Sequence, residues 1–456
     1  MSDAPPPGPA ADPALLPRAR QVQRRAVRVL GTAQVFSGLG NGATLSLGSI
    51  LAVDLSGAES SAGFANTAMT LGSAAVSIPL ASVAARRGRR VALGLGLAAG
   101  LVGQGLMVAA VISRAFPLLL LGAFLVGFAA AVNLQARFAV TDLSQPRHRG
   151  RDLSVVVWAV TVGAVLGPNM VGPGAVLAGW LGIPAHAGPF LISAAGMAVG
   201  AGIILVGLRP DPLLLRRELD TVPGAEQPGT TTAGHPGGPV PPRSGAGWGA
   251  GWRIVRAQPT ALAAVVAVAS AHAAMVGLMS MTPLHLQHEA GVASHELGMH
   301  PDTVVLIGFT ISLHVAGMYA LSPVMGLLTD RYGPARVAGA GLGLLLAAAG
   351  LTGFFPHVHA AVVIGLVVLG LGWSAATVAG STLLVAALRP DQRVPAQGFS
   401  DAVMSLAGAV GSLAAGPLMG GVGFSGLSAV LAGVVVLCGL GVAALLRAPA
   451  AAPPRG

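Results

Sequence analysis

The chain has 456 residues, of which 54% are hydrophobic and only 9% charged, and its mean hydropathy is +0.75. That composition excludes a soluble protein of this length and describes an all-α polytopic membrane protein in contact with the lipid bilayer. The formal net charge of +10 does not indicate a nucleic-acid binder, because lysine is absent and the arginines fall in short clusters between apolar runs, with no basic face carrying interleaved aromatics. The single cysteine, Cys438, sits in an apolar run and leaves no intramolecular disulfide to form.

Residues 1–28 form a Pro- and Ala-rich tail that ends in Arg18, Arg20, Arg24, Arg25 and Arg28, with no cleavage pattern of a signal peptide. Apolar runs of spanning length follow at 29–53, 62–84, 91–112, 117–138, 153–178 and 187–208, and make a first half over 29–208. Residues 209–258, with Pro-Gly-Ala-Glu-Gln-Pro-Gly and a His235-Pro-Gly-Gly-Pro run, read as a disordered linker in which Trp248 and Trp252 can anchor the next span at the interface. Six more runs, at 259–283, 304–328, 336–356, 360–387, 400–420 and 424–446, make a second half over 259–448, before a tail at 449–456. Arg86, Arg87, Arg89 and Arg90, then Arg147, Arg149 and Arg151, Arg331 and Arg336, and Arg389 and Arg393 all fall on one side of the twelve runs. The opposite loops hold only Arg114, so both termini are expected in the cytoplasm of a bacterial-type inner membrane.

Soft metal ligands recur at helical spacing in the seventh and eighth runs. His272, Met275 and Met279 share one helix face, and His314 and Met318 share another. Counted along the helices, the two stripes lie at overlapping depth, and thioether with imidazole is the donor set of a Cu(I) site. Met-x-x-x-Met alone is ordinary packing, and a lone intramembrane histidine can equally carry a proton. His186, His285, His288, His295, His300, His357 and His359 map to the opposite, arginine-poor side, where His285 and His288 are candidates for capturing an ion and passing it to Met279. No carboxylate falls in the middle of a run: Asp54, Arg137, Asp142, Asp330 and Asp401 all lie near run ends, where solvation or loop contacts account for them. Asn41, then Asn133 and Gln135, are the polar candidates of the first half, Asn41 being the expected contributor to the wall of a central cavity.

Two motifs echo each other after the second and eighth runs. Gly326-Leu-Leu-Thr-Asp330-Arg331-Tyr-Gly333-Pro-Ala-Arg336 resembles the loop signature of the major facilitator superfamily. Ala81-Ser-Val-Ala-Ala85-Arg86-Arg87-Gly88-Arg89-Arg90 keeps its basic end, but has alanines where that family has glycine and aspartate. The resemblance covers the whole chain. It implies the major facilitator fold, with twelve transmembrane helices in two six-helix halves around a central cavity, and alternating access by rocking of the halves. It also implies conformational gating by Asp330, Arg331, Gly326 and Gly333 in one loop and by Arg86, Gly88 and Arg89 in the other. Gly163, Gly167 and Pro168 in the fifth run resemble the antiporter signature of drug exporters, with the following glycine one residue late.

Met275-x-x-x-Met279 together with His314-x-x-x-Met318 resembles the paired signature of the CcoA-like copper importers, a bacterial branch of that superfamily. The resemblance implies a transporter without enzymatic activity or resident cofactor, functional as a monomer, with copper as cargo and Met275, Met279, His314 and Met318 as ligands. His272 joins them from helix geometry alone. Cys438, in the twelfth run, does not reproduce the functionally relevant membrane cysteines of that branch's best-known member. Two alternatives stay open: a proton-coupled exporter of drugs or small metabolites in which His272 or His314 carries protons, and a metal sensor or assembly partner without turnover.

Overall fold

A computed structural model describes residues 15–57, 61, 63–145, 148–220, 248–291 and 301–447. The expectations for His235, His295 and His300 lie outside the described residues, as do the side chains of Asn41, Gly167 and Pro168. Among the described residues there is no strand. The helices are α1 (Leu15–Ser56), α2 (Phe64–Arg87), α3 (Arg89–Ser113), α4 (Phe116–Ala139), α5 (Arg149–Asn169), α6 (Val171–Leu181), α7 (Gly188–Gly207) and α8 (Pro212–Asp220), then α9 (Trp248–Arg256), α10 (Pro259–Glu289), α11 (Pro301–Tyr319), α12 (Ser322–Tyr332), α13 (Pro334–Phe354), α14 (His359–Ala387) and α15 (Pro390–Arg447).

Nine segments among the described residues are long and apolar enough to cross a membrane. The twelve expected runs all fall on helices, but not one to one, and proline and glycine chemistry explains the differences. The run 153–178 divides into α5 and α6, and the run 304–328 into α11 and α12. A proline lacks an N–H, and its ring displaces the carbonyl four residues earlier. Four residues before Pro173 is Asn169, where α5 ends, and four before Pro323 is Tyr319, where α11 ends. The runs 400–420 and 424–446 are joined in α15, which turns at Gly423 with φ 71° and ψ −179°, a backbone conformation open to glycine.

Two corrections follow at the ends of runs. The helix that carries the eleventh run starts not near 400 but at Pro390, and Val394, Ala396, Gln397 and Phe399 are buried ahead of residue 400, so the packed part of α15 begins well before the apolar run does. The ends of the expected linker 209–258 are helical. Asp211 accepts hydrogen bonds from the N–H groups of Leu213 (3.0 Å) and Leu214 (3.3 Å), a capping arrangement that starts α8 and seats Leu213 and Leu215 in the protein. At the other end, Trp248 and Trp252 of α9 lie against Phe399 with ring centroids 5.7 and 6.1 Å away, both half exposed, as an interfacial anchor requires.

The first half buries Leu30, Leu93, Leu97, Val132, Leu153 and Met197, and the second buries Met275, Leu278, Met318, Leu366, Trp373 and Leu427. Tyr319, at the break between α11 and α12, packs on both cores. Within the second half α14 packs broadly on α10, α11 and α13, while α10 and α11 touch each other little.

Candidate functional site

The halves are joined toward the arginine-rich end of the bundle, hereafter the basic end. α2 packs along α15 and α5 along α12, whereas α1 and α10, the first spanning helix of each half, barely meet. Asp330 accepts hydrogen bonds from the backbone N–H groups of Gly150 and Arg151, both at 2.9 Å, so a carboxylate of the second half caps the N-terminus of α5 in the first. Gly326 lets α12 approach closely enough for its backbone to meet Gly150 and Ser154, and Ser322 donates to the Ser154 carbonyl at 3.1 Å. Gly333, with φ 88°, ends α12 and starts α13, and the Arg331 guanidinium lies 5.4 Å over the Tyr332 ring.

The other copy of the motif has Ala85 in place of the aspartate and is held differently. Asp211 accepts from the Arg90 N–H at 2.8 Å and fills the space beside Gly88, which has φ 87°. Arg89 is 1% exposed and donates through Nε and Nη2 to the two oxygens of Asp142, at 2.9 and 3.1 Å, and through Nη2 to Gln397 of α15 at 2.6 Å. Burial pushes the Asp142 carboxyl above the usual aspartate range, and the paired Arg89 opposes that shift. Arg86 is exposed to one side of this arrangement. One latch is therefore a carboxylate on a helix terminus and the other an arginine on a glutamine.

Asp401 corrects the expectation drawn from run ends. Its carboxyl is fully buried and accepts from Arg137 Nη2 at 2.6 Å, the guanidinium being only 2% exposed, so solvation does not account for either charge. The pair crosses from α4 to α15. It is incompletely satisfied, since Asp401 Oδ2 and Arg137 Nε have no partner among the described residues. The signal missed in the sequence was Pro390: a helix starting there carries Asp401 about 16 Å inward.

The soft-ligand stripes converge on one face of α14. His314 is 1% exposed, and its Nδ1 lies 2.7 Å from the Leu366 carbonyl. A carbonyl only accepts, so the proton is on Nδ1 and the lone pair on Nε2, which is buried with no partner among the described residues. His272 Nδ1 accepts from Trp373 Nε1–H at 3.0 Å, which places its own proton on Nε2, beside Gly408. Leu366 and Trp373 are two turns apart on the same face, about 10 Å, and so are His272 and Met279. Met279 thus stands level with His314, and Met275 level with Met318, the latter two sharing the buried core of the second half at 6% exposure each. His272 offers no free lone pair in this arrangement, its Nδ1 being held by Trp373.

The remaining expected positions serve contacts of other kinds. His285 Nε2 donates to the Pro356 carbonyl at 2.8 Å, and its ring stacks on Phe424 at 4.0 Å, while His288 is exposed. Asn133 accepts from the Ser37 hydroxyl at 2.6 Å and Gln135 donates to the Ser77 carbonyl at 2.8 Å, both tying helices of the first half together. Gly163 of the antiporter-like segment lies against Val35 and Gly38 of α1, the close approach that small residues permit. Among the described residues, no three His, Cys, Asp or Glu side chains are grouped to hold a metal ion.

The sequence profile of the Major Facilitator Superfamily matches residues 30–300 and 290–456. The chain is 32% identical over 398 residues to the uncharacterized MFS-type transporter YddS of Bacillus subtilis, covering 87% of this chain and 85% of that one. It is 26% identical over 424 residues to the riboflavin transporter RfnT of Brucella anthropi, covering 91% and 94%. Its fold is similar to that of the human organic anion transporter MFSD10, with a TM-score of 0.67 at 16% identity, over 92% of this chain and 99% of that one. The E. coli fucose:proton symporter FucP, as a point variant, gives 0.58 at 15% identity, over 92% and 98%.

Proposed function

The chain belongs to the major facilitator superfamily, a family of membrane carriers rather than enzymes, and we propose that its cargo is copper as Cu(I), taken up from the arginine-poor side and released at the basic, cytoplasmic side. The observation that carries this reading is His314. A buried imidazole that donates one N–H to a backbone carbonyl and keeps an unpaired lone pair on the other nitrogen is oriented as metal-binding histidines are. Met318 lies one turn along the same face, and Met275 and Met279 stand at the two matching levels of α10. This donor set of thioethers and one imidazole, with no carboxylate, favours a soft monovalent ion over zinc or manganese. Loading brings α10 toward α11 across the face of α14, and His272 positions the floor of the site through Trp373. His285 and His288 lie near the outer end of α10, on the route an arriving ion takes to Met279.

Radiocopper accumulation in proteoliposomes tests this. The parent accumulates the ion, and His314→Ala and Met275→Ala each reduce the rate by at least about tenfold, the scale on which changes around metal ligands act. Unchanged accumulation in both variants sinks the copper reading.

A second reading, carriage of a planar organic solute, is favoured by the half-buried His272 ring beside Trp373, which in turn packs edge-on against Tyr319, and by the name of the Brucella relative. Riboflavin accumulation by the parent that is insensitive to His314→Ala supports it over copper.

A further inference from the structure

Serine and threonine hydroxyls within these helices commonly satisfy themselves on the carbonyl one turn back. Ser77 donates to Ser73 at 2.7 Å, Thr352 to Ala348 at 3.0 Å, Thr382 to Val378 at 2.8 Å and Ser428 to Phe424 at 3.0 Å. Three hydroxyls of α14 do not. Ser374, Thr377 and Ser381 are 0%, 0% and 1% exposed, and none of their oxygens has a hydrogen-bond partner among the described residues. A hydroxyl buried without a partner is costly, and three in succession call for partners that come and go.

Their placement identifies the route those partners take. Gly370, Ser374, Thr377 and Ser381 follow one another at steps of four, three and four residues, so they form a single stripe along α14. The upper end of the stripe is the His314 turn: a Cβ at Gly370 would stand 2.5 Å from the His314 carbonyl oxygen and 2.8 Å from the Met318 nitrogen. The three hydroxyls then lie about 6, 10 and 16 Å further toward the basic end. Val378, between them, packs in the core of the first half, so the stripe looks across the interface between halves. The first half answers with Thr161, whose Oγ1 is also buried without a partner among the described residues. Thr161 lies two turns along α5 from Ser154, whose face meets Ser322 and Gly326 of the second half.

We propose that this stripe, with Thr161, is a polar track along which water and a polar cargo pass from the His314–Met318 turn to the basic side. Its upper end rests on the site assigned above, but the track itself requires only that small polar species enter it. Each hydroxyl donates to and accepts from a water in the resting protein, and replaces part of the hydration of a cargo in transit.

The test uses the full chain with Cys438→Ser and one new cysteine at a time. Ser374→Cys, Thr377→Cys and Ser381→Cys react with a small cationic methanethiosulfonate, during turnover, at least about tenfold faster than Ala376→Cys, which is equally buried but lies on the face toward α13. Rates no faster than at Ala376 overturn the track. A triple variant Ser374→Ala, Thr377→Val, Ser381→Ala supplies a second reading. Its melting temperature is unchanged or raised, its Cu(I) affinity is retained, and its transport rate falls. A lowered melting temperature with an unchanged rate identifies these hydroxyls as structural and overturns the proposal. If the parent carries no copper, the labelling result still decides whether the track exists, so the two readings fail separately.

Discussion

Asp401→Ala is expected to cost about 3–5 kcal/mol of stability, the penalty for leaving one partner of a buried ion pair charged and alone. Arg137 is 2% exposed, has an Nε without a partner among the described residues, and beyond Asp401 meets the Met404 sulfur at 3.7 Å and the Phe138 ring at 4.9 Å, neither of which replaces a carboxylate. Thermal unfolding in detergent reads the loss as a clear drop in midpoint. The double variant Arg137→Met, Asp401→Leu recovers most of it, because an apolar pair of similar volume avoids desolvating two charges. The pair also has a mechanical consequence. It joins α4 of one half to α15 of the other, so the basic end opens only if the two charges separate in a poorly solvated interface. Any event that neutralises Asp401 or supplies a new partner for Arg137 therefore lowers the barrier to opening. An Asp401→Ala protein as stable as the parent contradicts this account of how the halves are held.

Gly398→Leu is expected to prevent the basic end from closing. A Cβ at Gly398 would collide with the Ala81 side chain and stand 3.1 Å from the Ser77 carbonyl, where α2 and α15 cross. There is no flexible chain end to move aside, so the helices must part. The variant is predicted to fold, to lose transport by at least about tenfold, and to expose a cysteine placed at Ser77 to aqueous reagents on the basic side. Gly339→Leu is the matched control, since a Cβ there meets nothing within 4 Å, and it is expected to leave transport near the parent rate. Equal transport by both variants removes the α2–α15 crossing from the mechanism.

Much of the architecture could be read in the sequence because lipid imposes simple rules on it. Apolar length located the spans, and the clustering of arginine on one side located the end at which the halves are latched. Asp330 and Gly326 were recognisable because both sit in a short, ordered motif. Proline acted less visibly: Pro173 and Pro323 divide two runs through carbonyls four residues earlier, which hydropathy does not register. The Arg137–Asp401 pair was illegible for a related reason. Asp401 looked like a run boundary because Gln392, Arg393 and Gln397 interrupt the apolar pattern, yet Arg393 donates to the Val385 and Leu388 carbonyls, and Gln397 accepts from Arg89 across the interface between halves. Polar side chains that satisfy one another across the halves read as solvent-facing when only one helix is considered.

The candidate site divides along the same line. The register of His272, Met275 and Met279 with His314 and Met318 follows from spacing and helical rise. Tautomers do not follow from spacing. Leu366 and Trp373 decide that His314 keeps a free lone pair and that His272 does not, and both belong to a third helix, more than forty residues away in sequence. The hydroxyl stripe of α14 was hidden for the opposite reason: serine and threonine in a span normally bond their own helix, and only the absence of that bond sets Ser374, Thr377 and Ser381 apart.

X-ray absorption at the copper edge, on the purified protein loaded with Cu(I), decides whether His314 and Met318 hold the metal. Its nearest neighbours are expected to be thioether sulfurs and one imidazole nitrogen, with His314→Gln removing the nitrogen and Met318→Leu removing a sulfur. A metal environment identical in the parent, His314→Gln and Met318→Leu contradicts it.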